Sequence, residues 1–154
     1  RPKKLAKDDC LEDLIKYVPK VCKGTLILWT HVTSPLFNHL SYIKFIKKFL
    51  LNEKKFDSSF TATIIRSFIY NATTNKWLSH NMSKKRWPRT QDLDNIYLLN
   101  SAAFITKRKV YTKLKDRVGK NPLPFESYKN AYEVFDIDSK KDFDYFRTNL
   151  IKKI

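Results

Sequence analysis

Residues 25–29, Thr-Leu-Ile-Leu-Trp, are all β-formers or apolar, and Gly24 precedes them. An unbroken run of this kind suits a strand buried on both faces, as in a parallel sheet covered by helices. Polarity then rises at once, through Thr30 and His31 into Thr33-Ser34-Pro35, and Pro35 cannot continue a central strand. Ligands of open α/β sheets sit beyond the carboxyl ends of strands. The hydroxyls and imidazole that close this run therefore read in two ways, as the wall of a site or as an ordinary Ser-Pro turn, since turns favour the same residues.

The flanking chain alternates helix and strand. Leu11, Leu14, Ile15 and Val18 mark the buried stripe of a helix that Asp8-Asp9 can cap and that Pro19 weakens or ends. Asn38 caps a second helix, with Ile43, Ile46, Phe49 and Leu50 expected inward and Lys44, Lys47 and Lys48 toward water. Residues 59–66 and 97–106 read as strands, the second carrying Asn100-Ser101 at its centre, where small polar residues mark close approach of a ligand or backbone. A helix is expected over 108–117, a loop over the two prolines of 121–125, and a short strand over 131–135. Ser139 and Asp142 form a capping box for a last helix whose core side is Phe143, Phe146, Leu150 and Ile154.

Two short strands, at 68–70 and 77–78, flank Asn71 to Asn75 and predict a hairpin. With the basic aromatic segment 85–91 it makes an inserted arm over about 67–95. The pattern as a whole predicts an α/β fold, a mainly parallel sheet with flanking helices, in one domain over 1–154.

Composition narrows the chemistry. Gly24 and Gly119 are the only glycines, so the chain has no glycine-rich phosphate loop. Against 15 acids stand 31 Lys and Arg, a formal charge of +16, which raises nucleic acid, anionic membranes and phosphorylated ligands as partners. The lysines are scattered among acids, however, and the longest basic run is Lys84-Lys85-Arg86. Cys10 and Cys22 are too isolated for a disulfide framework or zinc site and fit a reducing compartment, the cytoplasm. No apolar stretch approaches the ~20 residues of a membrane span. The chain opens on Arg1-Pro2 rather than Met, so an N-terminally truncated protein is expected.

Asp136 and Asp138 are the sharpest chemical feature. In extended backbone, residues i and i+2 share a face, so both carboxylates can converge on one cation. Mg²⁺ typically takes one or two protein carboxylates and fills its octahedron with waters and phosphate oxygens. The alternative is that one aspartate simply caps the following helix. Arg86, Arg89 and Gln91 offer a second polar group: a guanidinium matches a carboxylate or phosphate in bidentate fashion. His31 reads as a hydrogen-bonding residue, because neither His39 nor His80 stands at ligand spacing from it. Ser34 lies in no G-x-S-x-G elbow, so a nucleophilic triad is not indicated.

Four ordered segments resemble the acylneuraminate cytidylyltransferase (CMP-sialic acid synthetase-like) family. They are Arg1-Pro2-x-x-Leu5-Ala6-x-Asp8, then Trp29 to Leu36 ending in Thr33-Ser34-Pro35-Leu36, then Arg89-x-Gln91 with Asn100-Ser101, and finally Asp136-Ile137-Asp138-x-x-x-Asp142. His31 stands where most members carry glutamine. The family's glycine- and arginine-rich CTP loop, which precedes the first of these segments, is absent from the 154 residues. The resemblance implies a nucleotide-diphospho-sugar-transferase-like fold, a hairpin dimerisation arm and a homodimer. It implies transfer of CMP from CTP to a nonulosonic, sialic-type sugar acid. Asp136 and Asp138 would be the catalytic pair and hold Mg²⁺. His31, Thr33 and Ser34 would line the substrate floor, and Arg89, Gln91 and Asn100 would meet the sugar's carboxylate and hydroxyls. The chain by itself is expected to be inactive for want of the CTP loop. A non-enzymatic basic module that binds nucleic acid is the competing reading.

Overall fold

The computed structural model describes residues 2–5, 11–126 and 131–153. The proposed Asp8-Asp9 cap, Cys10 and part of the first family-like segment lie outside them. Helix α1 (Leu11–Val21) is followed by β1 (Leu26–Thr30), α2 (His39–Asn52) and β2 (Ser58–Ile65). A hairpin, β3 (Tyr70–Asn71) with β4 (Lys76–Trp77), precedes β5 (Ile96–Lys107), α3 (Arg108–Leu114) and β6 (Pro122–Glu126). The chain closes with α4 (Lys140–Tyr145), which continues as a π turn over Phe146–Leu150.

The main sheet has four strands in the order β1-β5-β2-β6. Both β1 and β2 pair antiparallel with β5, whereas β2 and β6 pair in parallel. Strands β1, β2 and β6 thus point the same way, and β5 is the one reversed strand between them, so the sheet is mainly parallel in direction. Helix α2 carries the chain across from β1 to β2 and leaves the gap that β5 later fills. Its N-terminus is secured as expected: Asn38 Oδ1 accepts from the amides of Leu40 at 3.0 Å and Ser41 at 3.2 Å.

Helices cover both faces. On one, Phe45 and Phe49 of α2 pack against Ala103 and Ile105 of β5. On the other, Ile15 of α1, Ile27 of β1 and Tyr111 of α3 form a cluster, beside Phe60, Ala62 and Phe104. Phe45, Phe49 and Phe104 are completely buried.

Several expectations are corrected. Helix α1 runs through Pro19 to Val21, because Pro19 lies in its last turn, where Arg108 donates to the Pro19 carbonyl from Nε (3.2 Å) and from a terminal nitrogen (2.8 Å). Leu11, Ile43 and Leu50 are exposed, and Ser41 and Phe45 join the expected Phe49 in the inward positions of α2. Residue Leu28 is 40% exposed, since β1 is an edge strand of the sheet and not a doubly covered one. The prolines of 121–125 lie in β6, also an edge strand. Their spacing of two lets both missing N–H groups face away from β2. Residues 131–134 form a 3-10 turn instead of a strand. Helix α3 stops at Leu114, where Lys115 adopts the left-handed conformation (φ 57°). The capping box at α4 is present: Ser139 Oγ accepts from the Asp142 amide, and Asp142 Oδ2 accepts from the Ser139 amide at 2.8 Å.

Gly119 illustrates how tightly the β2 and β6 ends are joined. A Cβ there would fall 2.0 Å from Asp57 Oδ1 and 2.2 Å from its Cγ. That carboxylate accepts from the amides of Lys120 (2.9 Å) and Asn121 (3.3 Å) and from Ser58 Oγ (3.0 Å), so it cannot swing aside without losing them. Gly119→Ala is expected to cost about 1–3 kcal/mol, the loss of bonded donors around Asp57. Urea unfolding measures it, and a change near zero would mean the carboxylate is free to move.

Candidate active site

The site lies beyond the carboxyl end of β1. After Thr30 the chain leaves the sheet in a tight bend, with the Ser34 amide donating to the His31 carbonyl (3.4 Å) and the Phe37 amide to Ser34 (3.3 Å). Leu36 and Phe37, both buried, anchor the bend in two different clusters. Phe37 packs against the α2 face of the sheet, while Leu36 packs with Phe146, Leu150, Phe135 and Ile137. The same apolar side chains that end α4 therefore fix Asp136-Ile137-Asp138 beside Thr33-Ser34.

Two hydrogen bonds complete the join. The Ile137 amide donates to the Thr33 carbonyl at 2.9 Å. Ser34, 4% exposed, donates from Oγ to Asp136 Oδ1 at 3.3 Å, and the Ile137 amide donates to the same oxygen at 3.2 Å. Asp136 is half-buried and Asp138 is exposed. Hard carboxylate oxygens two residues apart, one set by a hydroxyl, fit Mg²⁺, which needs only one or two protein carboxylates. Among the described residues no group of three or more His, Cys, Asp or Glu side chains could cage a metal. Waters and phosphate oxygens would have to fill the remaining positions.

Asn100 stands at an irregularity of β5. The register with β2 shifts between Phe60 and Ala62, and Ser101 takes a left-handed conformation (φ 58°). Asn100 Oδ1 accepts from the Ala102 amide at 3.3 Å, while its Nδ2 is buried with no partner among the described residues. An orphaned buried donor of this kind is rare and marks a place where a ligand or water completes the set. The bulge adjoins the β1 end, since the His31 amide donates to the Ala102 carbonyl at 3.3 Å.

His31 is half-buried, 3.0 Å through Nε2 from a terminal nitrogen of Arg117. A guanidinium only donates, so Nε2 accepts and the ring proton resides on Nδ1. Burial first, and the Arg117 charge second, hold the imidazole below its ordinary range, with Asp136 pulling the other way. A histidine depressed in the folded state stabilises fully above the unfolded value, about 6.5, and loses that contribution as pH falls through the folded value. The wild type is expected to lose more thermal stability between about pH 7.5 and 5.5 than His31→Gln does. Equal losses would remove His31 as the titrating group. Arg117 itself was invisible to sequence reading, since nothing in its spacing links it to His31, 86 positions earlier.

Arg89 and Gln91 are exposed on the arm. Arg89 makes a bidentate pair with Asp92, Nε to Oδ2 at 2.9 Å and a terminal nitrogen to Oδ1 at 3.0 Å. Among the described residues no hydrogen bond links Arg89 or Gln91 to Asp136, Ser34 or His31. The arm has its own aromatic cluster, with Phe68 5.3 Å from Trp87 and 6.0 Å from Trp77 between ring centroids, and Trp87 remains 61% exposed. A basic cleft of about 510 Å³, lined by Lys23, Lys107, Arg108 and Lys109, lies at the opposite end of β1. There Lys107 and Arg108 are already bonded to the carbonyls of Glu53 and Pro19, so the cleft reads as structural.

No family model matches the chain, and no curated protein matches it. Among solved structures, it is similar to 4-diphosphocytidyl-2C-methyl-D-erythritol synthase from Anaerococcus prevotii DSM 20548, with a TM-score of 0.59 and 12% identity. The match covers 88% of this chain and 64% of that one. The chain thus spans less than two thirds of the neighbour's length, and the likeness at this identity shows the fold alone, an α/β architecture. No helix among the described residues is long and apolar enough to cross a membrane.

Proposed function

We propose that this chain is the sugar- and metal-binding part of a cytidylyltransferase that couples CTP to a nonulosonic, sialic-type sugar acid. One observation carries the reading: Ser34 and Asp136, 102 positions apart, meet through a hydrogen bond at the carboxyl end of a sheet strand. They belong to two of the segments whose resemblance first suggested this family. The cytidylyl chemistry named for the structural neighbour is compatible with the same fold.

In the proposed reaction the anomeric hydroxyl of the sugar attacks the α-phosphorus of CTP, a P–O bond forms, and pyrophosphate leaves. Transfers of this type depend on positioning and on neutralising phosphate charge. Mg²⁺ held by Asp136 and Asp138 would supply that neutralisation. Thr33 and Ser34 form the floor, Ser34 orienting the Asp136 carboxylate. The spare Nδ2 of Asn100 donates to a sugar oxygen. Arg89 and Gln91, exposed on the arm, serve the site of a second copy, which the aromatic arm brings near in a homodimer.

A transfer assay tests the reading. Without a glycine-rich phosphate loop, the chain alone is expected to give no turnover. Fused to such a nucleotide-binding segment, it is expected to form CMP-sugar with Mg²⁺ and to lose this in Asp138→Ala. Undiminished transfer in that variant would overturn the assignment. A salt titration with a generic oligonucleotide examines the competing basic-module reading, whose binding must weaken steeply as salt rises.

A further inference from the structure

We propose that Arg117 is the carboxylate-binding residue of this site, the group that makes it select an acidic sugar over a neutral one. The inference rests on the reading of the site given above and names a recognition element that reading lacks.

Arg117 follows α3 and lays its guanidinium over Phe104, 3.9 Å from the ring centroid, with Trp29 5.4 Å away. The aromatic faces hold the cation in place. His31 Nε2 takes one of its donors at 3.0 Å. A guanidinium has five. None of the ion pairs among the described residues involves Arg117. Asp116 acts on the guanidinium from the neighbouring position without forming an ion pair, so the remaining donors of this half-buried arginine stay open to an anion.

The chemistry of the neighbourhood says which anion fits. Asp136 and Asp138, as carboxylates, offer no donor to a sugar carboxylate, so that group needs a cation elsewhere in the site. His31 links the two: its ring contacts Arg117, and its carbonyl accepts from the amide of Ser34, whose hydroxyl donates to Asp136. Arg89 is a poorer candidate, because Asp92 already occupies its fork. A planar carboxylate matches the guanidinium in bidentate fashion. His31, with its tautomer fixed, keeps the fork from turning.

The test titrates the full chain, with Mg²⁺ present, against N-acetylneuraminate and its methyl ester, following tryptophan fluorescence. Expected is at least tenfold tighter binding of the acid. Arg117→Gln is expected to erase that preference by weakening the acid and leaving the ester unchanged, and Arg117→Lys to keep part of it. A merely structural arginine would weaken both forms by the same factor, and that result overturns the proposal, as does a preference that survives Arg117→Gln. Thermal midpoints show that each variant is folded, and the acid-to-ester ratio remains readable in a destabilised one. If the wild type ignores both sugars yet binds pyruvate in an Arg117-dependent way, the carboxylate clamp stands and the sugar assignment falls. No response to any carboxylate overturns the clamp.

Discussion

Asp136→Ala is expected to lower divalent-cation affinity on the order of 100-fold, beyond what losing a partner of a ligand costs. The probe is Mn²⁺ titrated against the chain and read by electron paramagnetic resonance. Asp138→Ala should do the same to the cation. The two variants differ in stability, for a reason visible in their surroundings. Asp136 Oδ1 accepts from Ser34 Oγ and the Ile137 amide, so its loss strands a buried hydroxyl and costs about 1–3 kcal/mol. Asp138 is exposed, and its removal should change stability by less than about 0.5 kcal/mol. Asp136→Asn separates the two effects, since the amide oxygen still accepts from Ser34 while the charge is gone. Mn²⁺ binding that is indifferent to both aspartates would end the metal assignment.

Phe104→Ala is expected to remove about 3–5 kcal/mol, the usual cost of a buried phenylalanine. That is a large part of the ~5–15 kcal/mol that holds a domain together, and in a chain of this size lowers the melting temperature by about 6–20 °C. Phe45→Ala should cost a similar amount, because Phe45 is equally buried on the α2 side of the sheet. Only Phe104 underlies Arg117 and lies beside His31, whose ring is 6.1 Å away. Ligand binding at the β1 end should therefore suffer in Phe104→Ala beyond its stability loss, and not in Phe45→Ala. Equal binding in the two folded variants would show that the aromatic platform does not position the guanidinium.

Local signals were legible wherever the physics is local. The capping box of α4 and the Asn38 cap depend on neighbouring residues alone, and both are present. The hairpin over Asn71 follows from turn chemistry: Asn71 Oδ1 accepts from the amides of Thr73 and Thr74, each at 3.0 Å. The prolines of β6 misled the reading because their penalty depends on which edge of a strand faces outward, a property of the sheet and not of the segment. Ile43 and Leu50 misled it because helical periodicity gives an apolar stripe without saying how much of it a neighbour covers.

The sequence by itself determined the alternation of helix and strand, the apolar run that becomes β1, and two aspartates separated by one residue ahead of a capped helix. Hydrophobic period and backbone chemistry need no partner to act. Only the tertiary structure decided that β5 runs against its neighbours, that Leu36 and Ile137 share one apolar cluster and so draw Ser34 to Asp136, and that Arg117 reaches His31 across the chain. Those outcomes come from packing between segments far apart in sequence, where burial of apolar surface, which is blind to order along the chain, chooses the neighbours.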